Sequence, residues 1–169
     1  MIYSIQQHKE VPVEISKTFT HLPKFGDFTR YTVNDASKRK INIGYVDLKD
    51  TNNGVEVMYI KNLQPNLYKY FGKIADQIEL EHCMQRGIDT PYIQSDAMVG
   101  TLMQHYIRGK RYINEGINVY LGHICENLQK GERVFTGFLG TQKMYMPINM
   151  INEIKEKIKI APLLKNICK

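Results

Sequence analysis

The chain has 169 residues, of which 43% are hydrophobic and 24% are charged. This composition is typical of a globular protein and excludes a collagen-like or intrinsically disordered chain. At this length we expect one domain, residues 1–169, that buries about two-thirds of its unfolded surface. The 23 lysines and arginines outnumber the 17 acidic residues and give a net charge of +6. That charge favours a polyanionic partner without choosing between nucleic acid, an acidic surface and a phosphorylated cofactor.

The three cysteines, Cys83, Cys125 and Cys168, lie far apart and form no C-x-x-C pair. A disulfide framework or a thiolate zinc site needs paired or closer cysteines, so we expect free thiols and a cytoplasmic protein. The N-terminal residues lack the apolar core of a signal peptide. The sequence contains no run of about 18 apolar residues, so we expect no membrane span.

The first part of the chain is predicted to form strands. "MIYSIQQH", "VPVEISKTF" and "FTRYTVND" alternate apolar and polar residues, and the last is rich in β-branched and aromatic residues. "INIGYVDLKD" and "VEVMYIKNL" flank "TNNG", which ends in Asn53-Gly54 and is a strong β-hairpin signal. Val55, Val57 and Tyr59 are predicted to share one face of the second strand. We therefore expect an antiparallel meander.

A helical period then replaces the strand pattern. A row of residues recurs at helical spacing, namely Leu67, Phe71, Ile74, Ile78 and Gln85, and Gly87 stands where a C-terminal cap belongs. "TPYIQSDA" predicts a short strand. "MVGTLMQHYIRGK" predicts a second helix with an inward row of Met98, Leu102, Met103 and Tyr106.

The remaining segments complete the predicted fold. "INVYLGHI" and "RVFTGFLG" predict further strands, and an isoleucine stripe predicts a last helix from Pro147. The element order predicts an α/β (α+β) fold, with a mixed, mostly antiparallel sheet and flanking helices.

The stretch "NLYKYFGKIADQIELEHCMQRG", residues 66–87, is a candidate phosphate-binding element. A polar loop that enters a helix presents backbone N–H groups and the positive end of the helix dipole, which together bind pyrophosphate. Gly72 lacks the Cβ that would hold a ligand away, and Lys69 and Lys73 add charge beside it. The alternative is that Gly72 is an ordinary turn residue between solvated lysines.

The region from Val55 to Tyr112 resembles the core of the GNAT-superfamily N-acetyltransferases. In that family a long strand is followed by a Gln/Arg-x-x-Gly-x-Gly/Ala loop and a helix ending in glycine. A strand and a second helix, often carrying a tyrosine near its end, come next. Here the corresponding segments are "VEVMYIKNL", "LYKYFG", the helix to Gly87, "PYIQSDA" and "LMQHYIRGKRY". Leu67 replaces the Gln/Arg of the loop, and Tyr70 replaces its first glycine.

The resemblance implies a GNAT-like fold with acetyl-coenzyme A as acyl donor and a primary amine, on a small molecule or a protein, as acceptor. Backbone groups of Ile60 and Asn62 would pair with the pantetheine arm as an added strand does. The pyrophosphate would be held by the loop and the first helical turn, namely Lys69, Tyr70, Phe71, Gly72, Lys73 and Ile74.

The resemblance also implies catalytic residues. Glu56 is the implied general base that takes a proton from the amine, and Tyr106 is the implied acid that protonates the departing thiolate. The basic run Arg108, Lys110 and Arg111 would meet the nucleotide 3′-phosphate. By pattern alone, Glu56 also fits a solvent-facing strand position, and Tyr106 also fits the core.

Nucleic acid is the alternative partner class, and a second function also stays open. "RGKRY" and "SKRK", residues 37–40, combine charge with tyrosines and suggest nucleic-acid binding, but neither an RNA-recognition signature nor zinc-finger spacing accompanies them. We therefore expect no specific nucleic-acid partner. Glu79 and His82 at i, i+3 have no second such pair, so we expect surface positions and no metal site. A non-enzymatic binding or interaction module on the same scaffold is the alternative function.

Overall fold

The computed structural model describes residues 1–37, 41–52, 54–87, 92–96, 99–136, 139–145 and 167–168. These residues form an α+β fold of mixed, mostly antiparallel sheets with helices, as the sequence predicts. The chain divides into two compact units, residues 1–88 and residues 89–169. The single domain stays a prediction.

The first unit contains an antiparallel meander and one helix. Its described elements are β1 (Ile2–Ser4), β2 (Lys9–Val11), β3 (Val13–Leu22), β4 (Gly26–Asp35), β5 (Asn42–Thr51), β6 (Gly54–Asn62), β7 (Tyr68–Lys69) and α1 (Phe71–Gln85). Strands β3, β4, β5 and β6 pair in chain order, so the predicted meander is confirmed. Strands β2, β1 and β7 form a small separate antiparallel sheet.

The predicted hairpin joins β5 to β6. Thr51 pairs with Gly54, and the Thr51 hydroxyl donates to the Gly54 carbonyl at 3.1 Å. Gly54 is therefore the first residue of β6, and Asn53 of the predicted hairpin signal lies outside the described residues.

A β-bulge interrupts β6. Tyr59 pairs with Asp47 and Val57 pairs with Leu48, so Met58 is an extra residue opposed by no β5 residue. Because one extra residue exchanges the two faces of a strand, the predicted common face ends at Val57. Tyr59 lies on the other face and is 62% exposed.

Helix α1 packs on the meander through Phe71, Ile74, Ala75 and Ile78, which are buried. Leu67 and Gln85 were predicted in the same row but are exposed, because Leu67 precedes the helix and Gln85 lies on its solvent side. The predicted cap is confirmed, since Gly87 adopts a left-handed φ of 65° just after the helix.

Gly44 of β5 is required where the helix begins. A Cβ built on Gly44 would lie 2.8 Å from the Phe71 ring and 2.2 Å from the Lys61 carbonyl oxygen. No side chain fits in this space. The first residue of α1 therefore sits directly on the sheet backbone.

The second unit packs helices against a short sheet. Its described elements are β8 (Tyr92–Asp96), α2 (Val99–Ile107), β9 (Arg111–Tyr112), α3 (Glu115–Gln129), β10 (Val134–Phe135), β11 (Gln142–Tyr145) and β12 (Ile167–Cys168). Strand β11 lies between β8 and β9 and is antiparallel to both, whereas β10 and β12 are parallel. Leu102, Met103 and Tyr106 of α2 join its core, as predicted.

The prediction of a strand at "INVYLGHI" is wrong, because this segment lies in α3. Asn114 caps the helix by accepting a hydrogen bond from the Gly116 N–H at 3.0 Å. The helix then buries residues at helical spacing, namely Leu121, Ile124, Cys125 and Leu128.

Several predicted elements are shorter in the structure or lie outside the described residues. Of "RVFTGFLG", only Val134–Phe135 forms a strand among the described residues. Met98 and the helix predicted from Pro147 lie outside the described residues. In the described part of the chain, no helix combines the length and apolar character needed to cross a membrane.

Candidate functional site

The entry to α1 has an unusual backbone at Tyr70. This N-cap residue adopts φ 68° and ψ 25°, in the left-handed region. That conformation costs an ordinary L-residue about 1–2 kcal/mol and suits glycine. The acetyltransferase resemblance expects a glycine at this position. The backbone thus takes a form suited to that glycine, although the side chain is tyrosine.

Contacts on both sides hold the Tyr70 ring, which is 60% exposed. It lies edge-on to Tyr3 of β1, with ring centroids 6.1 Å apart, and the Lys73 Nζ is 5.1 Å from its centroid. The Lys73 N–H donates to the Tyr70 carbonyl at 3.0 Å. Tyr70 makes no side-chain capping hydrogen bond, and no acidic residue lies in the first turn. Neither a capping side-chain oxygen nor an acidic residue therefore occupies this helix end.

The other residues that were predicted to hold the pyrophosphate differ in their exposure to solvent. Lys69 is exposed, Gly72 is half-buried, and Phe71 and Ile74 are buried in the contact with the sheet. Phe71 and Ile74 can therefore offer a ligand only their backbone, which is the group that the prediction requires of them.

The backbone of β6 has the orientation predicted for pairing with an extended ligand. The Leu63 N–H donates to the Ile43 carbonyl at 2.8 Å, which makes these two residues a hydrogen-bonded pair. Such pairs alternate along an antiparallel ladder, so Ile60 and Asn62 occupy non-hydrogen-bonded positions. Their N–H and C=O groups consequently point away from β5.

Asn62 also shapes the loop that leads to α1. Its side-chain oxygen accepts a hydrogen bond from the Gln64 N–H at 2.9 Å, and its Nδ2 donates to the Tyr68 carbonyl at 3.3 Å. Tyr68 in turn donates its hydroxyl to the buried Asp35 at 2.6 Å. These bonds fix the loop between β6 and α1 on the end of the meander.

Glu56, the predicted base, is exposed on β6 opposite Lys49 of β5. Its side chain lies on the face of the meander away from α1, because Asp50, the next β5 residue, contacts α1 through His82. The carboxylate is accessible to solvent on that face.

Tyr106, the predicted acid, is 7% exposed and belongs to the core of the second unit. It also lines a cavity of about 510 Å³ together with Arg111 and residues of α3. The Arg111 guanidinium carbon is 4.5 Å from the Tyr106 ring centroid. A Cβ built on Gly122 would lie 3.3 Å from the Tyr106 hydroxyl oxygen. The ring is therefore a core residue whose hydroxyl lies against α3 at the cavity.

The predicted basic run is largely buried, and its contact with the nucleotide 3′-phosphate stays a prediction. Lys110 is 0% exposed and Arg111 is buried, with the Arg111 guanidinium donating to the carbonyls of Tyr106 and Lys110 at 3.2 and 2.8 Å. Arg108 lies 3.0 Å from the His105 Nδ1. Gly109, with φ 99°, turns the chain back against α2 and brings these cations inside. Residues 38–40 of the other basic run lie outside the described residues.

A partly buried polar network, which the sequence did not predict, joins α1 to the meander. His82 is 3% exposed, so the surface position predicted for it is wrong, and the same holds for the fully buried Glu79. The His82 Nδ1 is 2.7 Å from the Tyr31 hydroxyl, and its Nε2 is 2.7 Å from the Asp50 Oδ1. The Arg86 guanidinium is 2.6 Å from the same Asp50 oxygen. We call Tyr31, His82, Asp50 and Arg86 the His82 network.

The surroundings of Asp50 and Tyr31 shift the pKa values of both groups. Burial alone would raise the pKa of Asp50, but hydrogen bonds from His82 and Arg86 lower it below its ordinary value. Burial, assisted by the charges of Asp50 and Glu81, raises the pKa of Tyr31. The Tyr31 hydroxyl is hydrogen-bonded to the His82 Nδ1, and the Asp50 carboxylate is hydrogen-bonded to the opposite ring nitrogen. Both ring nitrogens are thus engaged, and the network fixes α1 to the sheet.

One sequence signal does point to the buried position of His82. It lies four residues after Ile78 and eight after Ile74, on the same buried stripe of α1.

Among the described residues, no group of three or more His, Cys, Asp and Glu side chains is placed to hold a metal ion.

Comparison with known proteins found no matching family model, curated protein or solved structure. The acetyltransferase hypothesis therefore depends on the residues and geometry of this chain.

Proposed function

We propose that the chain is a cytoplasmic, acetyl-coenzyme A-dependent N-acetyltransferase of GNAT-like fold that acts on a primary amine. The left-handed backbone of Tyr70 is the observation that carries the proposal. A bulky residue adopts this conformation only where the surrounding structure imposes it, and such residues cluster at functional sites. The residue lies where the resemblance expects the first glycine of the cofactor loop.

Two further features support the cofactor assignment. Within the predicted set from Tyr70 to Ile74, the amides of Tyr70, Phe71 and Gly72 lie at the positive end of α1 ahead of the bonded Lys73 N–H, and Lys69 and Lys73 add charge for a pyrophosphate. The N–H and C=O groups of Ile60 and Asn62 point away from β5, as pairing with a pantetheine arm requires.

In the proposed reaction, the amine nitrogen attacks the thioester carbonyl and forms the new C–N bond as the C–S bond breaks. Glu56 takes the proton that the nitrogen loses, directly or through a water molecule. Tyr106 donates a proton to the coenzyme A thiolate. The acetyl group ends on nitrogen, so no oxidant or reductant is needed.

A non-enzymatic binding module is the second candidate function. Leu67, which is 39% exposed, and Tyr70 replace the residues that the resemblance expects in the cofactor loop. Retained coenzyme A binding without turnover over a panel of amines would favour this candidate over the enzyme.

Titration of coenzyme A into the full chain by calorimetry tests the cofactor site. Gly72→Asp places a carboxylate in the first turn of α1, where it suits the helix dipole but repels a pyrophosphate. Two like charges about 4 Å apart near a protein surface repel by about 4 kcal/mol, so even with strong screening we expect at least roughly tenfold weaker binding. Gln85→Glu changes the charge equally at the exposed other end of α1 and should leave affinity unchanged. Failure of the unsubstituted chain to bind coenzyme A would remove the enzyme proposal, and equal binding by Gly72→Asp would remove the loop from it.

Tyr106→Phe tests the acid. If the phenol protonates the thiolate, turnover should fall roughly 10²-fold or more while coenzyme A affinity stays constant. Unchanged turnover would leave Tyr106 with a core role alone.

A further inference from the structure

The cavity beside Tyr106 has a wall made by one side of α3. Its members recur at i, i+3, i+4, i+7, i+8 and i+11, which places them along a single stripe. They are Glu115, Asn118, Val119, Gly122, His123 and Glu126. The volume of about 510 Å³ lies in the range of small-molecule sites.

The stripe is elongated and carries a carboxylate near each end. Glu115 and Glu126 are eleven residues apart, which corresponds to about 16 Å along the helix axis. Between them, Val119 offers an apolar surface and Gly122 leaves out a side chain. An extended ligand can therefore lie along the helix between two acidic ends.

The Glu115 end is held in place. The Asn118 Nδ2 donates to the Glu115 Oε2 at 3.0 Å. Asn118 is itself buried and is bonded to the Tyr112 backbone, accepting from its N–H at 2.7 Å and donating to its carbonyl at 2.8 Å. At the other end, the Glu126 Oε2 is 3.6 Å from the His123 Nδ1.

The charge of the lining favours a cation. Among the described residues that line the cavity, the two carboxylates outnumber the one guanidinium, that of Arg111. The Arg111 guanidinium lies over the Tyr106 ring and donates to backbone carbonyls. A local negative charge in a chain of net +6 selects ligands of positive charge.

We propose that this cavity binds an elongated small-molecule amine with an ammonium group at each end, such as a linear diamine or polyamine. One ammonium pairs with Glu115 and the other with Glu126, and the aliphatic chain lies along Val119 and Gly122. Acetylation of the bound amine rests on the proposed function, whereas binding does not. The acceptor is then a small molecule and not a protein.

Calorimetry with the full chain tests this, with 1,8-diaminooctane as the probe and n-octylamine and 1,8-octanediol as comparisons. Glu115→Gln and Glu126→Gln each remove one charge-assisted contact, so we expect roughly tenfold weaker diamine binding in each. Glu132→Gln, at an exposed position just after α3, should bind as the unsubstituted chain does. Octylamine should bind more weakly than the diamine, and the diol should not bind.

Gly122→Leu fills the cavity and should abolish binding of the diamine, with circular dichroism reporting whether the fold is retained. The exposed glutamate variants keep the test decisive if that variant does not fold. Equal diamine affinity in both glutamine variants and the control, or no binding by the unsubstituted chain, would overturn the proposal. A coenzyme A titration of the same sample separates the two ideas. Diamine binding without coenzyme A binding removes the proposed function alone, and the reverse result removes the amine site alone.

Discussion

Tyr31→Phe is expected to destabilise the protein through the His82 network. The substitution removes one hydroxyl from a buried ring and leaves its packing against the His82 ring, at 5.7 Å between centroids, in place. The His82 Nδ1, now 2.7 Å from that hydroxyl, would lose its hydrogen-bond partner inside the protein. Leaving a buried polar atom without its partner costs about 1–3 kcal/mol.

Urea unfolding followed by circular dichroism measures the loss directly. We expect the free energy of unfolding to fall by about 2 kcal/mol with an unchanged m-value. For a chain of this size, that corresponds to a decrease in Tm of roughly 4–8 °C. Tyr59→Phe removes the same hydroxyl from an exposed ring of the same sheet and should change the free energy of unfolding by less than about 0.5 kcal/mol.

Equal stability of the two variants would show that the Tyr31–His82 bond contributes nothing to holding α1 on the meander. A double-mutant cycle with Asp50→Asn extends the test. Because one imidazole joins both partners, the two substitutions should be non-additive by at least about 0.5 kcal/mol. Strict additivity would contradict a connected network.

Three further outcomes follow from individual groups. Because the folded state lowers the pKa of Asp50, its contribution to stability is complete above the ordinary value of 3.8 and is lost as the pH falls below it, so Asp50→Asn should flatten the acid side of a Tm–pH profile. Burial and the hydrogen bond to Asp35 raise the pKa of Tyr68 to about 12, so stability should fall as the pH rises from 10.0 towards 12. Tyr68→Phe should remove that loss, as urea unfolding at pH 9 and pH 11.5 would reveal. Burial raises the pKa of Cys83 to about 11, so Cys83 and the buried Cys125 should resist iodoacetamide at pH 8 and react in urea, with peptide mass spectrometry locating the label.

The elements predicted well are those with local signals at both ends. Alternation and the turn at Gly54 identified the meander, and a change of period followed by Gly87 identified α1. Each signal involves residues a few positions apart, so one sequence suffices to read it.

The errors have physical causes that local patterns do not contain. In "INVYLGHI", β-branched residues gave the appearance of a strand, while the buried row that defines α3 continues to Leu128, beyond that segment. The bulge at Met58 is defined by the register between β6 and β5, and the local pattern of β6 does not contain that register.

For the candidate site, the sequence predicted the segment that enters α1 but not the left-handed backbone of Tyr70, since tyrosine gives no sign of that conformation. The His82 network joins residues 51 and 32 positions apart in the chain, a distance over which periodicity carries no information.

Because Gly44 has no side chain, substitutions at this position affect how α1 packs on the sheet. Because the Phe71 ring packs directly against this glycine, even one added methyl group would push the first turn of α1 away from the sheet. This shift would move every amide that follows Tyr70, so Gly44 would influence the proposed pyrophosphate site without contacting the ligand.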